Sequence, residues 1–400
     1  MKIFFSVGEP SGDIHGANLI EALRRAGKEI RPDEEIKCVG FGGPKMQQAG
    51  AELMFDLTSL AVMWVGRVLW NIRAFFKLAD QAEAYFKAEK PDAVVLIDYP
   101  GFNWHIAKRA HAAGIPVYYY SPPQLWGWAQ WRVKKMRMWV DCILSGLPFE
   151  TDWYNSKGCK CVYVGHPFFD ETAKLSCELR PTLAVDSIAI LPGSRTQEVE
   201  QNMASFIKAA KIIQAELASG ENPREVRFRV AAFKEAHKAL IEPIVAQSGL
   251  NIEVKVGQTQ EIIAASDAVM SVSGSVSLEL LYHEAPTVIL YKVCRFGMFL
   301  QSIFRTVKYI TLVNLLRYGA VEMRAPDTPE APNPHTALFP EFLTSGDESA
   351  AIARQIIRWL TDSNAYNQEK AELKRLKEEV CQPGAAEKAA RIILAGGIAK

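Results

Sequence analysis

The chain has 400 residues, 49% hydrophobic and 23% charged, and its 46 lysines and arginines against 45 aspartates and glutamates leave a formal net charge of +1. That length exceeds one ordinary core and predicts two domains, and the near-neutral balance excludes bulk attraction to nucleic acid, so any basic character must be local. The seven cysteines are odd in number and scattered, which argues against a disulfide framework, and Cys159-Lys160-Cys161 lacks the spacer and companion histidines of a zinc site. No apolar run reaches the roughly 18 residues of a spanning helix, and the opening run is too short for a signal peptide, so a cytoplasmic protein is expected.

In chain order, strand-like runs at Ile3–Val7, Ile36–Val39, Ala93–Ile97, Val117–Tyr120, Cys142–Ser145 and Val162–Val164 alternate with helical patterns. Gly165-His166-Pro167 breaks the alternation, and the polar stretch to Pro181 reads as a linker. A second series follows at Ser187–Leu191, Val226–Ala231, Ile252–Val256, Ala268–Val272 and Thr287–Leu290. Two such series predict an α/β protein with two Rossmann-like domains of parallel sheet, over 1–172 and 173–364. The proline-bearing stretch Ala325–Pro340 reads as an irregular surface loop, and the helical remainder, 365–400, is expected to return to the first domain.

Several strand ends carry chemistry. Ile190-Leu191-Pro192-Gly193-Ser194-Arg195 is a buried strand, a turn and an arginine that opens a helix, the elements of an anion site: glycine lets backbone N–H groups approach, the helix dipole favours negative charge, and the Arg195 fork matches a diphosphate. An ordinary βα turn with a surface arginine is the alternative. Ser273-Gly274-Ser275 forms a second turn of this kind, with Glu279 near the reach of ribose hydroxyls or merely favouring the helix dipole. Asp98 follows the apolar Val94–Ile97 run, where desolvation raises a carboxylate toward general-base duty; the alternative is a cap for the helix starting near Asn103. Gly8-Glu9-Pro10-Ser11-Gly12-Asp13 is not the dinucleotide fingerprint, and Ser11 or Asp13 can cap the following helix. His166 sits at the interdomain break, within reach of a ligand there. The segment Val62–Lys77 mixes Trp64, Trp70, Phe75 and Phe76 with Arg67, Arg73 and Lys77, which fits a lipid interface or a core helix with basic ends.

Taken together, Gly8–Asp13, Gly42–Met46, Ile97–Asn103, Leu147–Glu150, Gly165–Pro167, Leu191–Arg195 and Ser273–Ser275 resemble the lipid-A-disaccharide synthase family in order and spacing, nearly end to end. The resemblance implies two Rossmann-like domains facing across a cleft, an architecture termed GT-B. It implies transfer of a sugar from UDP-2,3-diacylglucosamine to 2,3-diacylglucosamine 1-phosphate, giving the β-1,6-linked disaccharide and UDP. Asp98 would be the base and Arg195 would balance charge on the departing UDP, with Gly193, Ser194, Ser273, Gly274, Ser275 and Glu279 around the nucleotide. Glu9, Ser11, Asp13, His15 and His166 would face the acceptor, and Trp64, Trp70, Phe75 and Phe76 would meet lipid. No metal or other cofactor is expected. The implied location is the cytoplasmic face of the inner membrane, bound peripherally.

Three places depart from the family pattern: Met63–Leu69, where Arg67 replaces an acid, the Trp126 block, and an insertion at Ala325–Pro334. They lie on the side expected to meet acceptor or acyl chains. Another UDP-sugar enzyme of the same fold, such as a transferase with a different acceptor or a UDP-sugar 2-epimerase, is the alternative, and a non-catalytic lipid- or nucleotide-binding relative is a third reading.

Overall fold

The computed structural model describes residues 1–59, 72–172, 186–220, 223–274 and 276–396. They form two units, Met1–Leu175 with Gln382–Lys400, and Ser176–Cys381.

In the first unit β1 (Lys2–Val7), β2 (Lys37–Gly42), β3 (Glu52–Asp56), β4 (Ala93–Ile97), β5 (Val117–Tyr120), β6 (Cys142–Ser145) and β7 (Cys161–Tyr163) make one sheet ordered β3-β2-β1-β4-β5-β6-β7. Every pair is parallel. Helices cover both faces of such a sheet, which is why β4 is an unbroken run of buried Ala-Val-Val-Leu-Ile rather than an alternation. The second unit repeats the plan with β8 (Asp186–Leu191), β9 (Val226–Ala232), β10 (Ile252–Val256), β11 (Ala268–Val272), β12 (Thr287–Lys292) and β13 (Glu341–Thr344), ordered β10-β9-β8-β11-β12-β13 and again parallel. Both sheets reverse order once, at β1/β4 and at β8/β11, and ligands of doubly wound folds bind outside the carboxyl ends of the strands at such points. There Val7 is paired with Ile97, and Leu191 with Ser271.

Two strands, β3 and β13, are additional to those predicted from the sequence. Most of β3 is exposed, so it lacks the apolar run that marks its neighbours. The proline-rich stretch before β13 is more ordered than its composition suggests. The ammonium of Lys308, itself buried, donates to Asp327 (2.7 Å) and to the Ala331 carbonyl (2.8 Å), and the Tyr309 hydroxyl donates to the Pro332 carbonyl.

The return to the first unit begins at 382 rather than 365. Helix Ser363–Val380 stays with the second unit because Leu373, Leu376 and Val380 are buried in its core. Helix Ala385–Leu394 does return. Its stripe of small residues, Ala385, Ala386, Ala389 and Ala390, lets it lie close along helix Pro10–Ile30, with Ile393 and Leu394 buried. Its first N–H groups are satisfied by Asp170, whose carboxylate accepts from Gly384 (2.6 Å), Ala385 (3.1 Å) and Ala386 (2.8 Å). Among the described residues no helix is long and apolar enough to cross a membrane.

Removing that cap should loosen the returning helix. Asp170→Ala is expected to cost about 1–2 kcal/mol, the usual value of a cap, seen as a lower urea midpoint and faster proteolysis around Gln382–Gly384.

Candidate functional site

In the first unit the chain leaves β4 through two consecutive non-glycine residues in the left-handed region, Asp98 (φ 47°) and Tyr99 (φ 45°). Such residues cost of order 1–3 kcal/mol each and persist only where their surroundings hold them. The holder is Asn103, fully buried on the next helix, Pro100–Ala112. Its side-chain NH2 group donates to the carbonyls of Asp98 (2.8 Å), Ile97 (3.2 Å) and Ser6 (3.2 Å), while its Oδ1 accepts from the Ser6 hydroxyl (2.7 Å). The Tyr119 hydroxyl donates to the same Asp98 carbonyl at 2.7 Å. Gly8 makes room, since a Cβ there would meet the Tyr99 ring at 2.3 Å.

This backbone decides between the two readings of Asp98. Tyr99 occupies the N-cap position of the following helix and there is no side-chain cap, so the Asp98 carboxylate is not the helix cap. It points toward the first turn of helix Pro10–Ile30, where a Cβ on Gly12 would stand 3.7 Å from its Oδ2. Burial raises the Asp98 carboxyl to about 6; His15 opposes the rise and Glu9 adds to it. His15 Nδ1 lies 3.1 Å from Glu171 Oε1, an ion-pair distance without hydrogen-bond alignment. Burial, with His15 second, pushes His166 down to about 3, so the ring is neutral; its Nδ1 accepts from the Phe168 N–H at 3.3 Å. Asp98, His15, Glu9 and His166 thus act on one another electrostatically, and Ser11 is exposed beside them.

Asp13 does not join them. It does not cap its own helix: its buried carboxylate accepts from Gly43 (2.9 Å), Met46 (3.0 Å) and Lys45 (2.9 Å), closing the N-terminus of helix Pro44–Gln48. The cap of helix Pro10–Ile30 is Glu9, with no side-chain bond, so neither Ser11 nor Asp13 fills that role. Two groups given no role by the sequence belong near the site. Glu150 is buried, accepts from Trp126 Nε1 (2.9 Å) and the Ser145 hydroxyl (2.6 Å), and is pushed by burial to about 7. Tyr120, at the end of β5, keeps a buried hydroxyl with no hydrogen-bond partner among the described residues. An acid in the first turn of a helix was the available signal for Glu150; nothing marked Tyr120.

Trp64 and Trp70 lie outside the described residues. Phe75, expected at lipid, instead packs on Phe102 (5.7 Å) and Tyr99 (6.2 Å) against the core, because the 98–99 turn needs a wall there. Phe76 is exposed, edge-on to His105.

In the second unit Gly193 has φ 123°, and a Cβ there would stand 2.6 Å from Glu198, so conformation and space both demand glycine. The Ser194 and Arg195 N–H groups donate to Glu198 Oε2 at 3.2 and 3.3 Å, and the Arg195 guanidinium, 82% exposed, pairs with Glu198 Oε1 at 3.0 Å. The chain's own carboxylate therefore holds the N–H groups offered by the turn. On the adjacent strand, Ser273 and exposed Gly274 follow β11; Ser275 lies outside the described residues. Glu279, in the first turn of helix Val276–Tyr282, is half-buried and shifted upward by burial, with a Gln260 hydrogen bond opposing. The Ser277 hydroxyl is buried without a hydrogen-bond partner among the described residues.

Two doubly wound parallel sheets, one carrying a buried carboxylate at its switch point and the other an exposed arginine, place the chain in the two-Rossmann class of α/β proteins. The profile described as lipid-A-disaccharide synthetase matches residues 3–328. Lipid-A-disaccharide synthase of Coxiella burnetii (strain CbuG_Q212) is 31% identical over 402 residues, covering 98% of this chain and 97% of that protein. The chain belongs to the lipid-A-disaccharide synthase family, and with it to the glycosyltransferases. Solved structures agree in fold alone. A putative UDP-N-acetylglucosamine 2-epimerase from Listeria monocytogenes superposes with TM-score 0.57 at 12% identity, over 99% of this chain and 95% of that one. The calicheamicin glycosyltransferase CalG4 gives 0.57 at 15%, over 98% and 97%.

The raised Asp98 carboxyl makes a stability prediction. An ordinary aspartate titrates near 4, so between about pH 4 and pH 6 the folded chain binds this proton more tightly than the unfolded one. The contribution is fully present below that window and is lost as pH rises through about 6, leaving a desolvated charge at neutral pH. Asp98→Asn is expected to unfold at higher urea than the parent at pH 8, with the gap shrinking toward pH 4. A gap independent of pH would mean that the carboxylate is well solvated.

Proposed function

We propose that the chain transfers a 2,3-diacylglucosaminyl group from UDP to the 6-hydroxyl of 2,3-diacylglucosamine 1-phosphate, yielding the β-1,6-linked disaccharide 1-phosphate and UDP, with Asp98 as general base. The observation that carries the assignment of Asp98 is its presentation at the β1/β4 switch point by a strained, over-determined turn, with its proton affinity raised by burial. In the reaction the acceptor oxygen attacks the anomeric carbon while Asp98 takes its proton. The bond from that carbon to the UDP oxygen breaks on the opposite face, which inverts the centre.

Negative charge grows on the departing diphosphate. Arg195, whose guanidinium reaches solvent, supplies a fork for it, and the turns at Gly193–Ser194 and Ser273–Ser275 supply N–H groups. Glu279 would accept from ribose hydroxyls. With that charge balanced by guanidinium and backbone, the reading calls for no metal. Glu9, Ser11, His15 and His166 would face the acceptor. Both substrates carry acyl chains, so the work is proposed to take place on the cytoplasmic face of the inner membrane, with exposed Phe76 and the Trp64–Trp70 segment toward lipid.

Turnover of purified protein on the two lipid substrates, followed by mass spectrometry, tests the reaction. Asp98→Asn is expected to lose roughly 10²–10⁴-fold in kcat with UDP affinity unchanged. In the parent, kcat/KM should rise with pH through about 6 and level off, since the base must be ionised to act. Near-parental turnover in Asp98→Asn, or a missing acidic limb, removes Asp98 from the role. Arg195→Ala should weaken UDP binding by roughly ten- to hundredfold in calorimetry, the usual worth of a charge-assisted contact; unchanged binding would put the nucleotide elsewhere.

A further inference from the structure

Helix Arg295–Phe304 is built inside out. Phe296, Phe299, Leu300, Ile303 and Phe304 fall at i, i+3, i+4, i+7 and i+8, the spacing of a core-facing stripe. In helix Ser349–Thr361 a stripe of that kind turns inward, with Ile352, Ile356 and Trp359 buried. Here it faces solvent: Phe296, Phe299 and Ile303 are 68%, 60% and 56% exposed, and no residue of the helix is buried. Contiguous apolar surface of this kind marks a binding face.

Charge says what it binds. Between Glu284 and Glu322 the sequence has no acidic residue, while Lys292, Arg295, Arg305, Lys308 and Arg317 are basic. Lys308 and Arg317 are neutralised by Asp327 and Glu372. Arg305, at the C-cap, is partly buried and faces the charge of Glu341, which leaves Arg295, exposed at the start of the stripe, as the cation open to a partner. Bulky aromatic groups following an exposed arginine, with no acid in the same run of sequence, are the composition of a helix lying in an anionic lipid interface. The helix also leaves the carboxyl end of β12, hydrogen-bonded to β11, whose own carboxyl end carries the Ser273–Gly274 turn.

We propose that helix Arg295–Phe304 docks the second unit into an anionic lipid surface, at the sheet edge that bears the nucleotide turn. The proposal rests on the reading of a UDP-linked lipid donor: its acyl chains can stay in the leaflet while its headgroup reaches Ser273 and Arg195.

The experiment is cosedimentation with phosphatidylcholine vesicles, with and without phosphatidylglycerol, comparing parent with the triple variant Phe296→Ser, Phe299→Ser, Ile303→Ser. Circular dichroism and UDP calorimetry report the fold, and sedimentation velocity reports self-association. The triple variant should bind the phosphatidylglycerol vesicles roughly tenfold more weakly or worse, since each buried apolar group contributes to interfacial affinity, with fold and UDP binding intact. Arg295→Glu, which changes exposed charge alone, should weaken binding only where phosphatidylglycerol is present, and it keeps the test decisive if the triple variant misfolds. Parental binding by both variants overturns the proposal. So does a parent dimer that the triple variant splits while vesicle binding is unchanged, because the occupant is then a second copy. Turnover of the lipid donor is measured alongside: a parent that is active yet binds no vesicle ends the docking proposal alone, whereas a parent inactive on that donor ends the reading beneath it.

Discussion

The buried amide of Asn103 is the constraint on which the first unit's chemistry depends. Its donors go to three carbonyls, from β1, from the end of β4 and from Asp98, and its acceptor to Ser6. One side chain thus ties the two strands together at the point where the sheet reverses order and offsets the strain of two left-handed residues in a row. Here the cap position falls to Tyr99, and Asp98 is left with a carboxylate aimed at the neighbouring helix start. Tyr99, Phe102 and Phe75 then close an aromatic wall beside it, which is why a residue expected at lipid packs on the core.

The electrostatics of the two switch points differ in kind. Around Asp98 the dominant influence is desolvation, only partly relieved by His15 and assisted by Glu9, so proton affinity rises. Glu150 is raised first by its own burial and further by the negative charge of Asp98, against the hydrogen bonds from Ser145 and Trp126. At the β8/β11 end the distinctive group is an exposed guanidinium that is always charged. The two sheet edges thus generate opposite environments, a desolvated carboxylate at one and an exposed cation at the other.

Much of this was legible in the sequence, for a physical reason. The central strands β1, β4, β8 and β11, buried on both faces, are apolar almost throughout and announce themselves, and the strand ends carrying Asp98, Arg195 and Ser273 follow directly from where those runs stop; β9 and β10, with buried and more exposed residues mixed, were still legible from their β-branched residues. β3 escaped because its residues face water. β13 escaped because it opens on Glu341, a buried carboxylate that accepts from the Ile310 and Thr311 N–H groups and from the Asn314 side-chain amide. What composition could not reveal were partners far apart in sequence: Asp13 with 43–46, Asp170 with 384–386, Asn103 with Ser6. Residue type announces a cap or a ligand equally well, and only the distant partner decides.

Those carboxylates also sharpen what an anion site is. Among the described residues several N–H clusters are already occupied by the chain's own acids, and three of them compare directly: Asp13 on 43, 45 and 46, Asp170 on 384 to 386, and Glu198 on 194 and 195. The first is 3% exposed, with three bonds of 2.9–3.0 Å, so no solute can replace it. Asp170 is held by three bonds as well, of 2.6–3.1 Å. Glu198 makes two longer bonds, at 3.2 and 3.3 Å, on a side chain 29% exposed and paired with an arginine that reaches solvent. A diphosphate offers the same N–H groups more acceptor oxygens and more negative charge, and its geometry also matches the Arg195 fork. Glycine and helix dipole therefore locate places where negative charge is welcome; whether a ligand can claim one depends on how loosely the resident carboxylate is held, and among these three the most loosely held is the one next to Arg195.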